Sequence, residues 1–159
     1  TSGIENYSKN SFDMVRLGIG IYGVSKNIKL ENVATLKTKI NKIRTVNVNS
    51  QVGYGTTNIT NQTTKIGIIP IGYADGFSRA HGNGVGKVYV NGEFAKTYGN
   101  ICMDMSFINL GKINAKVGDT VEIFGENNSI ENIAKSINTI PYEILSTISQ
   151  RVVRTYSKD

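Results

Sequence analysis

Residues 86–98, GKVYVNGEFAKTY, decide the fold class of this chain. Two β-rich runs, Gly86–Val90 and Phe94–Tyr98, lie on either side of the dipeptide Asn91-Gly92. Asn-Gly between strands favours a type I′ turn, because both central residues of that turn need a positive φ. The stretch therefore predicts a β-hairpin.

Similar short runs occur on both sides of the hairpin and are separated by turn residues. They comprise Thr35–Val48, Lys65–Pro70, Ser106–Leu110 and Thr120–Phe124. The clearest helix pattern lies at residues 129–137, where Ser129 can act as N-cap and apolar residues recur at helical spacing. A second short helix is expected from Pro141, whose fixed φ suits a first helical turn. The residues thus predict a mainly β fold, a barrel or a sandwich, with one or two short helices.

Residues 1–24 have a different character from the rest of the chain. Polar turn residues come first, and an apolar, glycine-studded stretch that ends at Tyr22-Gly23 follows. This stretch is interpreted as a strand at the end of a preceding domain. The predicted boundary divides the chain into residues 1–24 and a β-domain over residues 25–159.

Composition narrows the possible functions. The chain has 159 residues, 39% of them hydrophobic, and a formal charge of +6. Lys37, Lys39, Lys42 and Arg44 follow strand-like spacing, which favours a solvated sheet face over a nucleic-acid patch. A single His and a single Cys predict no metal site and no disulfide framework. The first residues lack the layout of a signal peptide and no long apolar run is present, so a cytoplasmic location is expected.

Four short motifs combine glycines with a tyrosine, an arginine or an acid. They are RLGIGIYG at 16–23, VGYGT at 52–56, IGYADG at 71–76 and GNICMD at 99–104. Glycine lets the backbone approach a ligand closely. The motifs therefore indicate a site where polar side chains meet a bound molecule.

In their order and residue pattern these motifs resemble the C-terminal part of the bacterial alanine racemase family, and the resemblance covers nearly all of the chain. The resemblance implies a β-barrel-like C-terminal domain that follows a (β/α)8 barrel, with residues 1–24 as the tail end of that barrel. It implies interconversion of L- and D-alanine by two-base proton transfer on a pyridoxal 5'-phosphate aldimine, to supply D-alanine for peptidoglycan. It also implies a homodimer with a shared active site, a cofactor lysine outside this chain, and a fragment that is inactive alone.

The resemblance also implies which residues contact the cofactor. Arg16 corresponds to the arginine that faces the pyridine nitrogen, where a permanently charged guanidinium keeps that nitrogen unprotonated. Gly18 and Ile19 correspond to backbone donors to the phosphate. Tyr142 corresponds to a tyrosine whose hydroxyl reaches the phosphate, and Ser2 matches a phosphate-binding serine after a shift of one residue.

The substrate side of the site is implied in the same way. Tyr54 takes the position of the catalytic tyrosine, whose phenol needs nearby cations to act as a base because its reference pKa is about 10. Tyr73 corresponds to an active-site tyrosine near the substrate, and Asp75 is expected to shape its turn. The backbone N–H of Met103 corresponds to a donor to the substrate carboxylate.

Two other functions are weighed against this one. A serine racemase of the glycopeptide-resistance type would share the domain, and Tyr142 favours alanine over the bulkier serine. A non-enzymatic basic β-barrel that binds RNA or an acidic partner would show salt-sensitive binding independent of Tyr54. A catalytic pair of Cys102 and His81 is not expected, because no pattern places a base beside the thiol.

Overall fold

The computed structural model describes residues 1–10, 12–55 and 59–157. Within these ranges seven strands form one antiparallel sheet, and three short α-helices accompany it. The strands are β1 (Leu36–Lys39), β2 (Lys42–Val46), β3 (Thr64–Ile69), β4 (Lys87–Val90), β5 (Glu93–Tyr98), β6 (Ser106–Asn109) and β7 (Thr120–Phe124). The helices are α1 (Ser2–Tyr7), α2 (Ile130–Ser136) and α3 (Pro141–Thr147).

The sheet is rolled up by the short segment between its first two strands. Its strand order is β1-β7-β4-β5-β6-β3-β2, so β1 and β2 occupy opposite edges although only Ile40 and Asn41 separate them. The N–H of Ile40 donates to the Asp119 carbonyl beside β7 at 2.9 Å, and the N–H of Asn41 donates to the Ile68 carbonyl in β3 at 2.8 Å. One continuous segment therefore joins both edges, and the mainly β, barrel-like fold is confirmed.

The core fills the interior of the rolled sheet. Alternate residues of β4, β6 and β7 point inward and are fully buried, among them Val88, Ile108 and Val121. Burial of each such side chain contributes about 1.5–3 kcal/mol. The helices α2 and α3 add further buried apolar residues to the same cluster: Ile130, Ile133, Ala134 and Ile144.

Most predicted elements of the β-domain are confirmed to within one or two residues. Asn91 and Gly92 have φ values of 47° and 91°, as a type I′ turn between β4 and β5 requires. Ser129 caps α2, since its hydroxyl accepts a hydrogen bond from Asn132 N–H at 3.3 Å, and α3 begins at Pro141. The run 35–48 was predicted as one unit and is divided into β1 and β2 where the chain changes partners.

The lysines and arginine of the run 35–48 lie on the outside of the sheet. Lys37, Lys39, Lys42 and Arg44 are all exposed. Their exposure agrees with a solvated face, while the preference for such a face over a nucleic-acid patch stays a prediction. Among the described residues no helix is long and apolar enough to cross a membrane.

The interpretation of residues 1–24 as polar turns followed by a strand is wrong in both parts. Residues 2–7 form α1, and Ile19–Tyr22 form a 3₁₀ turn. The amides of the glycine-rich stretch are used locally, because Ile21 N–H donates to Gly18 at 3.2 Å and Gly23 N–H donates to Gly20 at 3.0 Å. A tight turn of this kind leaves these donors unable to form a strand ladder.

Candidate functional site

The first group of candidate residues is a cradle of donors around Gly18. The hydroxyl of Tyr142, near the start of α3, accepts a hydrogen bond from Ile19 N–H at 3.2 Å. The hydroxyl of Thr1 accepts one from Gly20 N–H at 2.7 Å. A Cβ at position 18 would lie 3.0 Å from the Tyr142 hydroxyl and 3.1 Å from the Thr1 hydroxyl. Two hydroxyls, each of which accepts a backbone N–H, therefore converge at Gly18, where a Cβ would be crowded. Their own O–H groups are left to donate to an anion.

Three of the predicted cofactor residues meet in this cradle, namely Gly18, Ile19 and Tyr142. Ser2 does not: it is exposed in α1, and its neighbour Thr1 supplies the hydroxyl instead. The sequence does not distinguish the two hydroxyls of the Thr1-Ser2 pair, because a shift of one residue decides between them, and the assignment of Ser2 stays a prediction. Arg16 lies two residues before Gly18, is exposed, and forms no ion pair among the described residues.

Tyr54 stands on a glycine loop that is tied to the fourth motif. Gly53 and Gly55 have φ values of 75° and 93°, and the Tyr54 side chain between them is 77% exposed. The Asn100 side-chain amide donates to the Tyr54 carbonyl at 2.9 Å, which fixes the backbone that carries the phenol. Gly53 also packs on the ring of Phe107 in β6. Thr56, the last residue of the second motif, lies outside the described residues.

Tyr73 and Met103 are brought together by direct contact between their loops. Tyr73 N–H donates to the Cys102 carbonyl at 3.0 Å, and Ala74 N–H donates to the Met103 carbonyl at 3.1 Å. A Cβ on Gly72 would lie 2.2 Å from the Cys102 carbonyl oxygen, so the loops can approach this closely only with glycine at that position. The side chains of Tyr73 and Met103 remain partly exposed and are therefore accessible to a ligand.

Asp75 shapes the turn that carries Tyr73, as the sequence predicts. Its Oδ2 accepts a hydrogen bond from Gly72 N–H at 2.8 Å. Its Oδ1 accepts one from Arg151 Nε at 2.7 Å, and the same guanidinium donates through Nη2 to Asp104 at 2.7 Å. The hydrogen bonds to Asp75 and Asp104 raise the pKa of Arg151 further above its ordinary value, so this group stays charged.

Cys102 and His81 have separate surroundings. Burial raises the pKa of the Cys102 thiol, whose sulfur is 3.8 Å from the Asn100 carbonyl. His81 is buried, stacks on Phe77 with 4.9 Å between ring centroids, and has Nδ1 3.3 Å from the Ser136 hydroxyl. Burial lowers its pKa from 6.5 to about 4. The ring of His81 thus has a structural environment and not that of a base beside a thiol.

Comparison with known proteins gives one consistent result. Residues 33–156 match the family described as alanine racemase, C-terminal domain. The chain is 41% identical over 164 residues to the alanine racemase of Helicobacter pylori (strain Shi470), which covers 95% of this chain and 43% of that protein. The chain therefore spans less than half the length of this curated relative.

Solved structures agree with the sequence matches. The alanine racemase of Clostridium difficile 630 in complex with cycloserine has a TM-score of 0.87 and 38% identity, over 95% of this chain and 42% of that one. The alanine racemase of Bartonella henselae with covalently bound pyridoxal phosphate has a TM-score of 0.82 and 32% identity, over 88% of this chain and 40% of that one.

Proposed function

Because this chain belongs to the alanine racemase family through that family's C-terminal domain, we propose that it completes the active site of a racemase that interconverts L- and D-alanine. The observation that carries the proposal is the joining of three motifs by hydrogen bonds, which presents Tyr54, Tyr73 and Met103 together. On this proposal residues 1–24 belong to the end of a preceding (β/α)8 barrel, and residues 25–159 are the C-terminal domain.

The cradle around Gly18 fits the phosphate of pyridoxal 5'-phosphate. Its hydrogen-bonding groups are the hydroxyls of Thr1 and Tyr142, which accept the N–H groups of Gly20 and Ile19, and no carboxylate of the described residues is hydrogen-bonded to them. When bound, the cofactor supplies the electron sink that makes the Cα proton of an amino acid acidic. Arg16, always protonated, is proposed to face the ring nitrogen and to keep that nitrogen unprotonated.

Tyr54 is proposed as one of the two groups that move the Cα proton. Racemisation removes the proton from one face and returns one to the other, so it needs two opposed acid–base groups. The second group is proposed to be the cofactor lysine, in a part of the protein outside these residues. The chain alone is therefore expected not to racemise alanine.

The substrate carboxylate is proposed to bind at Met103. The carbonyl of Met103 is engaged by Ala74 N–H, whereas the N–H of Met103 has no acceptor among the described residues. A backbone N–H that is held in place in this way is a suitable donor to a carboxylate. Tyr73 borders the same loop and is proposed to contact the substrate as well.

The proposal includes a homodimeric assembly and a role for the product in the cell. The phenol of Tyr54 is 77% exposed, and a base in that position needs a surface that covers it and supplies cations. We propose that the barrel of a second subunit is this surface, in a homodimer with shared active sites. The product D-alanine is proposed to supply peptidoglycan synthesis in the cytoplasm.

The test is Tyr54→Phe in the full-length protein that contains this chain. The variant keeps the ring and loses only the hydroxyl, so kcat for alanine racemisation should fall by about 10²–10⁴-fold. Tyr156→Phe is the matched control, because Tyr156 is 92% exposed and lies outside the four motifs. Wild-type kcat in Tyr54→Phe would exclude the acid–base role, and absence of racemisation by the wild type would exclude the proposed activity.

A further inference from the structure

One guanidinium connects the two loops that carry Tyr73 and Met103. Arg151 Nε donates to Asp75 at 2.7 Å, and Arg151 Nη2 donates to Asp104 at 2.7 Å. Asp75 is two residues after Tyr73, and Asp104 directly follows Met103. We call Arg151, Asp75 and Asp104 the clamp.

The clamp differs from an ordinary surface ion pair. Exposed pairs contribute little because water screens them and long side chains lose freedom. The Asp75 side chain, however, is only 14% exposed, and its second oxygen accepts Gly72 N–H at 2.8 Å. Its backbone carbonyl also accepts Ser149 N–H at 3.2 Å. The carboxylate is thus fixed within the turn, and Arg151 transmits that position to the second loop.

Two backbone hydrogen bonds between the loops depend on the same relative position of the two loops. Tyr73 N–H and Ala74 N–H donate to Cys102 and Met103, at 3.0 and 3.1 Å. The clamp lies beside these two bonds and holds the chain on either side of them. Arg151 uses a separate, rigidly spaced donor for each carboxylate, Nε for Asp75 and Nη2 for Asp104. The ammonium of lysine is a compact point charge without this fixed spacing.

We propose that Arg151 is a positioning residue that sets the Tyr73 turn and the Met103 backbone relative to each other for substrate binding. This inference rests on the proposed function, in which Tyr73 and Met103 meet the substrate. Arg151 itself need not touch the substrate. Its loss should therefore weaken binding more than proton transfer, which is assigned to Tyr54.

The test compares Arg151→Gln with Arg154→Gln. Arg154 lies in the same segment, but within the described part of the chain it donates to backbone carbonyls alone, those of Ile148, Ser149 and Val152, so it controls for loss of a nearby charge. Amide hydrogen exchange at Tyr73 and Ala74 is measured in the 159-residue chain, and KM and kcat for alanine in the full-length protein. Arg151→Gln should speed exchange at both amides and raise KM, each by about tenfold, with kcat within about twofold.

The other possible results distinguish failure of the clamp proposal from failure of the proposed function. Exchange and KM of Arg151→Gln equal to those of Arg154→Gln would overturn the proposal, and so would faster exchange with an unchanged KM. Arg151→Lys should restore neither value fully, since a lysine ammonium lacks the fixed spacing of Nε and Nη2, and full recovery would show that charge alone and not the fork of donors is required. A wild-type protein without racemase activity would refute the proposed function, while the exchange rates would still test the clamp.

Discussion

At the scale of single residues, His81 makes the stability of this domain depend on pH. It is the single histidine of the chain, it is buried, and burial lowers its pKa to about 4. The unfolded chain, with an ordinary pKa of 6.5, takes up a proton first as the pH falls. The free energy of unfolding is therefore unaffected by His81 above pH 6.5, and it falls progressively between pH 6.5 and 4 as the unfolded chain takes up the proton.

This predicts a loss of about 2 kcal/mol in the free energy of unfolding between pH 7.5 and pH 5 from His81 alone. Urea unfolding at the two pH values measures it. His81→Gln removes the titrating group, so its pH dependence should be flatter than that of the wild type by that amount. Equal pH dependence in both proteins would show that His81 is not held neutral by the fold.

The sequence indicated candidate site residues where they stand in a motif, and it did not indicate those outside the motifs. Tyr54, Tyr73 and Met103 stand in glycine-containing motifs, and the structure joins those motifs. Arg151 could not be found in this way, because its partners lie 76 and 47 residues away along the chain. Pairing of charges that lie far apart along the chain leaves no local pattern in the sequence.

At the scale of elements, the connection from β7 to α2 is organised by one buried carboxylate. Glu122 in β7 is 5% exposed and accepts hydrogen bonds from the N–H groups of Asn127 and Asn128, at 2.7 and 3.1 Å. It also accepts one from the Asn127 side-chain amide at 3.1 Å. The loop that leads to the capping residue Ser129 therefore depends on a side chain from the preceding strand.

Glu122→Ala should lower the free energy of unfolding by about 2–3 kcal/mol, because two backbone N–H groups lose their acceptor. Glu126→Ala, four residues later and exposed, is the matched control and should change it by less than about 0.5 kcal/mol. Denaturant unfolding of the two variants compares them. A similar small effect in both would mean that water satisfies the loop amides equally well.

The limits of sequence reasoning at this scale have a physical basis. Strands and the Asn91-Gly92 turn follow from local preferences and were predicted to within one or two residues. The division of the run 35–48 depends on the carbonyls of Asp119, beside β7, and Ile68, in β3, which accept hydrogen bonds from Ile40 and Asn41. The 3₁₀ turn at Ile19–Tyr22 is closed by its own backbone hydrogen bonds, and Tyr142 adds one hydrogen bond to Ile19 N–H. Tertiary partners decide the division of the run, and no local pattern indicates it.

At the scale of the whole molecule, the site residues form two groups that the proposed dimer assigns to different active sites. The cradle around Gly18 is one group, and Tyr54 with Tyr73 and Met103 is the other. If Tyr54 serves the cofactor of the partner subunit, a defect in Tyr54 and a defect in the cofactor lysine complement each other. A heterodimer of the two variants then has one site with both groups intact and one site with neither.

The prediction is that this heterodimer regains about half of the wild-type activity per dimer, although each parental homodimer is nearly inactive. Subunits with Tyr54→Phe and subunits with the lysine replaced carry different affinity tags, and the mixed dimer is isolated through both. The matched control pairs Tyr156→Phe with the lysine variant. There the subunit with Tyr156→Phe keeps both the lysine and Tyr54, and its partner keeps Tyr54. One site is thus intact, and the same recovery sets the reference value. If the heterodimer with Tyr54→Phe stays inactive while the control reaches the reference value, each subunit uses its own Tyr54. That result would exclude the shared site.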